Sequence, residues 1–295
     1  MSDPVLIDRT LLRTLPLPAH DGEVDKDARG RALIVGGCRE MPGALLLSGV
    51  AALRAGAGKL QLATAARIAQ ALAMAIPETF VIGLAEDDVG AVAASAGAVL
   101  AERVAHCDAL LIGPGLAAGD AAAALAVNLL KGADAVAVIL DAAPLAGIAR
   151  VEARLQTLTQ PAILTPHAGE MASMMAIDRA EVLADPIAMA TRAARRFNAI
   201  IVLKGSTTIV AAPDGRLFHY HGGGVGLATS GSGDTLAGLA TGFAARGAEP
   251  LSAAVWAVFV HGEAGRRLGR RIGRVGFLAR EILDEVPGVI GAIEA

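Results

Sequence analysis

Short runs of consecutive aliphatic residues alternate along this chain with longer alanine-rich segments whose larger apolar residues recur every three or four positions. The first kind reads as buried strands and the second as helices packed on them. Ala32-Leu33-Ile34-Val35-Gly36-Gly37 is a short buried strand ending in glycines. The same pattern predicts strands over 59–64, 80–84, 108–112, 135–140, 162–164 and 200–203, with helices over 43–55, 68–74, 89–105, 121–130 and 186–197 between or beside them. Segments 207–212 and 217–220, joined by Pro213-Asp214-Gly215, predict a β-hairpin. Helices over 234–246, 250–270 and 277–285 close the chain. This rhythm specifies an α/β fold in which a mostly parallel sheet is covered by helices on both faces. Residues 1–30, rich in proline and charge, read as an N-terminal arm, and 31–295 as a single domain with no internal repeat.

Composition narrows the function classes. The 295 residues are 54% hydrophobic, ample for a large core. Lysine and arginine total 26 against 29 acidic residues, a net charge of −3 without long blocks of one sign, so neither nucleic acid nor a membrane surface is the expected partner. An aromatic content of 3% leaves few stacking platforms for single strands. Cys38 and Cys107 are the only cysteines and fit no zinc or C-x-x-C spacing, so two reduced thiols and no disulfide are expected. The N-terminus has no basic stretch followed by an apolar one, and a cytoplasmic protein is expected.

The chemistry concentrates at 229–234. Thr229-Ser230-Gly231-Ser232-Gly233-Asp234 stands directly before Leu236, Leu239 and Phe243, which recur at helical spacing. A carboxylate is thereby set on the first turn of a helix behind a glycine-rich cradle whose N–H groups can turn toward one anion, with the helix dipole added. Asp234 is either the general base of a phosphoryl-transfer site or a helix cap. In a doubly wound sheet, ligands sit beyond the carboxyl ends of the strands. Gly36, Gly37, Gly43, Ala44, Gly113-Pro114-Gly115, Asp141, Thr165-Pro166-His167-Ala168-Gly169-Glu170 and Lys204-Gly205-Ser206-Thr207-Thr208 all fall there. Each has a plainer reading beside the functional one: a turn at 113–115, a satisfied histidine at 167 with Glu170 favourable in a first turn, a solvated lysine at 204, and at Asp141 either a ligand or a cap. His219 and His221 share a strand face, but two ligands without a third define no metal site.

Taken in order, these segments, together with Ala51-Ala52-Leu53-Arg54-Ala55-Gly56-Ala57-Gly58, Pro77-Glu78 and His261-Gly262-Glu263-Ala264-Gly265, resemble the ribokinase-like superfamily. Within it they are similar to the ADP- or ATP-dependent NAD(P)H-hydrate dehydratases, also described as carbohydrate kinases. The T-P-H-x-G-E segment separates that group from the sugar, thiazole and pyrimidine kinases that share only G-x-G-D. The chain departs from the group's pattern at Gly224, where an asparagine is usual, at Ala117, at Ala143 and at Arg266, where an aspartate is usual.

The resemblance implies a ribokinase-like three-layer sandwich and a repair reaction. A nucleotide phosphorylates the 6-hydroxyl of hydrated NADH or NADPH, and loss of phosphate restores the cofactor, which makes the enzyme a lyase. It implies Asp234 as base and the N–H groups of Gly231, Ser232 and Gly233 as the anion cradle. Ala44, Gly115, His167 and Asp234 fall on the hydrate-binding positions; Lys204, Gly205, Ser206, Thr207, Thr208 and Gly233 fall on the nucleotide-binding ones. Mg²⁺ would ride on the nucleotide, ADP or ATP, with no protein ligand assigned. A homo-oligomer, a tetramer by analogy, is also implied. So is pairing with a hydrate epimerase on a separate chain, because 1–30 is too short to hold one. Two other readings remain at this point: a kinase of the hydroxyethylthiazole or hydroxymethylpyrimidine type, and a catalytically silent nucleotide-binding paralogue.

Overall fold

The computed structural model describes residues 3–20, 25–88 and 90–294. Ten strands form one sheet: β1 (Val5–Leu6), β2 (Arg31–Val35), β3 (Lys59–Ala65), β4 (Thr79–Leu84), β5 (Ala109–Ile112), β6 (Ala137–Leu140), β7 (Ile163–Leu164), β8 (Ile200–Leu203), β9 (Thr207–Ala211) and β10 (Leu217–His221). Their order is β1-β10-β9-β8-β7-β6-β5-β2-β3-β4, and only β9 runs antiparallel to its neighbours. The central strands are apolar at every position because both faces are covered. In β2, Ala32 and Ile34 enter the core on one face, and Leu33 and Val35 the core on the other. The chain runs from β2 outward to β3 and β4, then returns to place β5 on the other side of β2. That reversal opens a crevice at the carboxyl ends of the strands.

One face is covered by the helices Pro42–Arg54, Ser232–Ala245, Pro250–Arg271 and Ala279–Glu294. Helix Ser232–Ala245 lies against Pro42–Arg54 so closely that a side-chain carbon on Gly238 would stand 2.2 Å from the Ser48 carbonyl oxygen, and one on Gly242 would stand 2.4 Å from that of Ala52. Small residues on both helices allow this approach, which carries the start of Ser232–Ala245 to the sheet edge. Among the helices on the other face are Asp120–Leu130, Ala168–Met175 and Pro186–Phe197.

Three stretches differ from the pattern read in the sequence. The helix expected over 89–105 is a 3₁₀ segment, Ala94–Leu100, followed by a short α-helix, Ala101–Ala105. Gly90 takes φ +79° before it, and Gly97 is pressed against Asn128, where a side-chain carbon would stand at 2.8 Å. Val89, where that helix was expected to begin, and residues 21–24 of the arm lie outside the described residues. The last helix runs on to Glu294 with Pro287 inside it, because Val286, Val289, Ile290 and Ile293 continue its buried stripe. The arm forms β1, paired parallel with β10, and helix Arg9–Thr14, and Trp256 Nε1 donates to the Leu15 carbonyl at 2.7 Å. Among the described residues no helix is long and apolar enough to cross a membrane.

Candidate active site

Asp141, Thr165, His167 and Lys204 follow β6, β7 and β8 directly, so three adjacent parallel strands deliver them to one edge. Lys204 N donates to the Pro166 carbonyl at 2.8 Å, which ties the ends of β7 and β8 together. Lys204 Nζ then donates to Asp141 Oδ1 at 3.0 Å and lies 3.7 Å from Glu170 Oε2. Thr165 Oγ1 donates to the same Asp141 oxygen at 2.6 Å. Asp141 is 3% exposed and caps no helix; Ala142 holds the cap position of the following short helix, at φ 56°. A positive φ on a non-glycine residue beside a buried ion pair is local strain of the kind found at functional sites. Gly113 is needed here as glycine: it takes φ +139°, and a side-chain carbon would stand 1.7 Å from the Asp141 carbonyl oxygen.

Burial works against the charge on Lys204, but Asp141, Glu170 and Asp234 together outweigh it and hold the ammonium above its ordinary pKa. Asp234 answers in the opposite sense. Burial, reinforced by the Asp141 charge and only partly offset by Lys204, pushes its carboxyl up to about 6. Helix Ser232–Ala245 has Gly231 as its cap residue, in the left-handed region at φ 87°, so Asp234 is the third helical residue and not the cap. A carboxylate there sits in the positive field of the helix N-terminus with its proton affinity near neutrality, the combination a general base requires. Gly233 lies over Lys204, whose Nζ would be 3.3 Å from a side-chain carbon there.

The cradle differs in one atom from the expectation. Ser232 N donates to the Thr229 carbonyl at 3.3 Å, so that amide is engaged, whereas the Gly231 and Gly233 amides find no acceptor among the described residues. What Ser232 presents is its hydroxyl, which lies 2.9 Å from Nε2 of His261.

A cavity of about 720 Å³ opens in front of this helix. His167, Lys204, Gly205, Ser206, Thr208, Ser232 and Gly233 line it, with Tyr220, Leu227, Leu236 and Val258 forming an apolar wall. Thr207 stands apart from the other residues of its stretch. Its side chain projects from the opposite face of β9 and pairs with His221 Nδ1 at 2.9 Å. Ala44 and Gly115 are not in the cavity wall but adjoin each other at the ends of β2 and β5, where a side-chain carbon on Gly115 would be 3.0 Å from Ala44 Cβ.

His167 is at once a structural residue and a cavity residue. It caps helix Ala168–Met175, its Nδ1 accepting from Gly169 N at 3.0 Å and Glu170 N at 3.1 Å, while Glu170 Oε2 accepts from His167 N at 2.7 Å. With Nδ1 an acceptor, a neutral ring carries its proton on Nε2. Sequence reasoning assigned no role to Tyr220 or His261. His261 had a signal in the H-G-x-A-G segment, whereas Tyr220 had only its place in a hairpin strand. At the departure sites, Arg266 donates through Nε to Glu263 Oε2 at 2.6 Å, and Gly224 lines the cavity with open space beside its Cα. Among the described residues no group of three or more His, Cys, Asp or Glu is placed to hold a metal ion, and His219 and His221 stack edge to face, with His221 also paired to Thr207.

A parallel sheet flanked by helices, with a G-x-G-D helix start facing a cavity at the strand ends, defines a ribokinase-like enzyme. The fold comparison agrees: the NAD(P)H-hydrate dehydratase of Bacillus subtilis, co-crystallised with ATP and Mg²⁺, superposes with a TM-score of 0.83 at 29% identity over 99% of this chain and 100% of that one. The chain matches the family described as NAD(P)H-hydrate dehydratase over residues 32–288, and it belongs to that family. It is 50% identical, over 95% of its length and 93% of the relative's, to an ADP-dependent (S)-NAD(P)H-hydrate dehydratase of Xanthomonas campestris. It is also 37% identical to a bifunctional NAD(P)H-hydrate repair enzyme of Moorella thermoacetica, of which it spans 52%.

Proposed function

We propose that this chain is a nucleotide-dependent dehydratase that returns the hydrates of NADH and NADPH to the intact cofactors, with ADP as phosphoryl donor. The observation that carries the reading is Asp234, raised toward neutrality on the first turn of a helix whose Ser232 and Gly233 line a cavity of nucleotide size; Asp234 itself stands just behind that wall. Asp234 takes the proton of the substrate hydroxyl as its oxygen attacks the terminal phosphorus. The Gly231 and Gly233 amides and the helix dipole hold the charge spread over the transferring oxygens. AMP leaves, and the phosphorylated hydrate then loses phosphate from one ring carbon and a proton from the next to restore the dihydronicotinamide ring. Lys204 stands where it can neutralise nucleotide phosphate, Gly205, Ser206 and Thr208 line the same wall, and Tyr220 with Leu236 and Val258 offers an apolar surface for a purine. Ala44, Gly115 and His167 are assigned to the hydrate.

The donor set suits a Mg²⁺ that arrives on the nucleotide. Among the described residues there is no all-protein cage, but Glu170, whose Oε2 lies 3.7 Å from Lys204 Nζ, is a carboxylate at the same edge, and Mg²⁺ is commonly held by one or two carboxylates plus substrate phosphates. Bound there, it would neutralise phosphate charge. Residues 31–295 are taken as the catalytic unit, with 1–30 as an arm. A cytoplasmic homo-oligomer working together with a hydrate epimerase accords with the two free cysteines and with the bifunctional relative, 52% of whose length this chain matches.

The test is recovery of reduced-nicotinamide absorbance from NADPH hydrate with Mg²⁺ and ADP or ATP. A stable phosphorylated product from a thiazole or pyrimidine alcohol, without such recovery, would replace this reading with a kinase.

A further inference from the structure

The Ser232 and His261 side chains stand 2.9 Å apart on the wall of the cavity, on two helices that meet only through packing. Neither is explained by the fold. Ser232 is the first residue of its helix, yet its side chain makes no capping bond. His261 sits in the interior of helix Pro250–Arg271, on a face otherwise given to Val258, Gly262 and Gly265. A polar pair kept in such surroundings is costly unless its hydrogen bonds are used. Burial pushes the His261 imidazole down to about 4, partly opposed by a hydrogen bond with the Ser232 backbone and assisted by the Lys204 charge, so the ring is neutral in the working range and carries one proton.

That proton has two places to be, and they have opposite consequences. On Nδ1, it leaves Nε2 to accept from the serine, and the cavity then meets only oxygen lone pairs. On Nε2, it is donated to Ser232 Oγ, and the serine proton is free to point at the anion beside the Gly231 and Gly233 amides. An anion in the cradle favours the second arrangement, because each donor in the chain then faces an acceptor. The engaged Ser232 amide makes the hydroxyl the donor this residue can supply.

We propose that His261 is a positioning residue that donates through Nε2–H to Ser232 Oγ, turning the Ser232 hydroxyl into a third donor to the transferring phosphoryl group. This rests on the phosphoryl-transfer reading above and adds to it two residues acting as one unit. The hydroxyl contributes where charge develops, so its effect falls on kcat more than on nucleotide affinity.

Kinetics and imaging of the proton test this separately. Ser232→Ala and His261→Leu should each lower kcat by about tenfold to a hundredfold, with the nucleotide KM changed by less than about threefold. The double variant should fall no further than Ser232→Ala alone, because both substitutions remove the same donor. His261→Gln, whose amide nitrogen can occupy the Nε2 position, should recover most of the rate lost in His261→Leu. Losses that multiply in the double variant, or a glutamine variant no better than leucine, would overturn the proposal, as would a Ser232→Ala enzyme within twofold of the original. Nitrogen NMR of His261 in the Mg²⁺–nucleotide complex of the unaltered protein needs neither turnover nor a variant that folds. A proton on Nε2 is expected, and one on Nδ1 overturns the relay. An unaltered protein that binds nucleotide with the Nε2 proton in place but does not turn over hydrate would refute the dehydratase reading and leave the relay standing.

Discussion

Lys204 Nζ and Asp141 Oδ1 pair at 3.0 Å across the ends of β8 and β6, two strands apart in the sheet, with Thr165 from the strand between them donating to the same oxygen. The pair fixes the one lysine that faces Asp234, and its geometry is set by backbone: β7 supplies Thr165, and Gly113 allows the Asp141 peptide to approach. Asp234 is therefore tuned by two neighbours of opposite sign, and its proton affinity reports on both.

The base role proposed for Asp234 requires the ionised carboxylate, so kcat/KM should fall as the pH drops through about 6, the value to which burial and Asp141 raise it. Asp234→Asn should lose about a hundredfold or more in kcat and lose that acid limb, while still binding nucleotide. The stability effect has its own sign. A carboxyl whose folded pKa is raised stabilises the fold below its ordinary value of 3.8, and that contribution is lost as the pH rises through about 6. The asparagine variant should thus match the original in Tm at acid pH and equal or exceed it by a few degrees at neutral pH. Activity within about threefold of the original would remove Asp234 from the mechanism.

Lys204→Ala should act at two places. Nucleotide binding, measured by calorimetry, should weaken by about tenfold or more, since a donor and a charge leave the cavity wall. In addition, Asp141 is left buried without its cation, so Tm should drop, and Asp141→Asn added to Lys204→Ala should restore part of the drop. Lys204 also holds the Asp234 pKa down, so any residual activity should show its acid limb moved to higher pH. An unchanged nucleotide affinity would show that the stretch after β8 serves the fold alone.

Much of this was legible in the sequence. The strands after 31 read true because a parallel sheet buried on both faces leaves continuous apolar runs, and helix Pro186–Phe197 coincides with its expectation because Pro186 opens it and Asn198, at φ 46°, ends it. The segment from 89 to 105 misled because alanine has no shape to bury: its period is compatible with a helix, and Gly90 and the contact of Gly97 with Asn128 decide otherwise. The arm was missed as structure because a two-residue strand carries no periodicity. At the site, position at the strand ends gathered Asp141, His167, Lys204 and Asp234 correctly at one edge. Partnership was out of reach: that Thr165 and Lys204 share one oxygen, or that Ser232 meets His261 across 29 residues, follows from tertiary packing alone.

The crossing of helices Ser232–Ala245 and Pro42–Arg54 positions the cradle, and Gly238 sets how close they come. Gly238→Ala would place a methyl group against the Ser48 carbonyl, backbone that cannot turn away. A cost of about 1–3 kcal/mol is expected, visible as a fall in denaturant midpoint with little change in slope. The helix start must move with the helix, so kcat should fall as well, even though Gly238 lies more than a turn from Asp234. Full activity with unchanged stability would mean that the two helices are free to separate.

The last prediction concerns Gly224, where the family pattern that the chain resembles has asparagine. Restoring that residue alone is expected to fail. Gly224 takes φ 78° with ψ 170°, a region essentially confined to glycine, so a side chain is strained there although the space beside it is open. Gly224→Asn should therefore lower Tm, at a cost of about 1–3 kcal/mol, without tightening nucleotide or hydrate binding, because the amide would be carried on a backbone of the wrong direction. Replacing residues 223–226 together by the Gly-Asn-Pro-Gly of the resembling chains changes the backbone along with the side chain, and only that exchange should raise affinity. Melting curves and hydrate KM for the two variants decide it. A single asparagine that keeps Tm and improves KM would show that the loop conformation is not fixed by glycine, and that the departure at 224 is one of side chain alone.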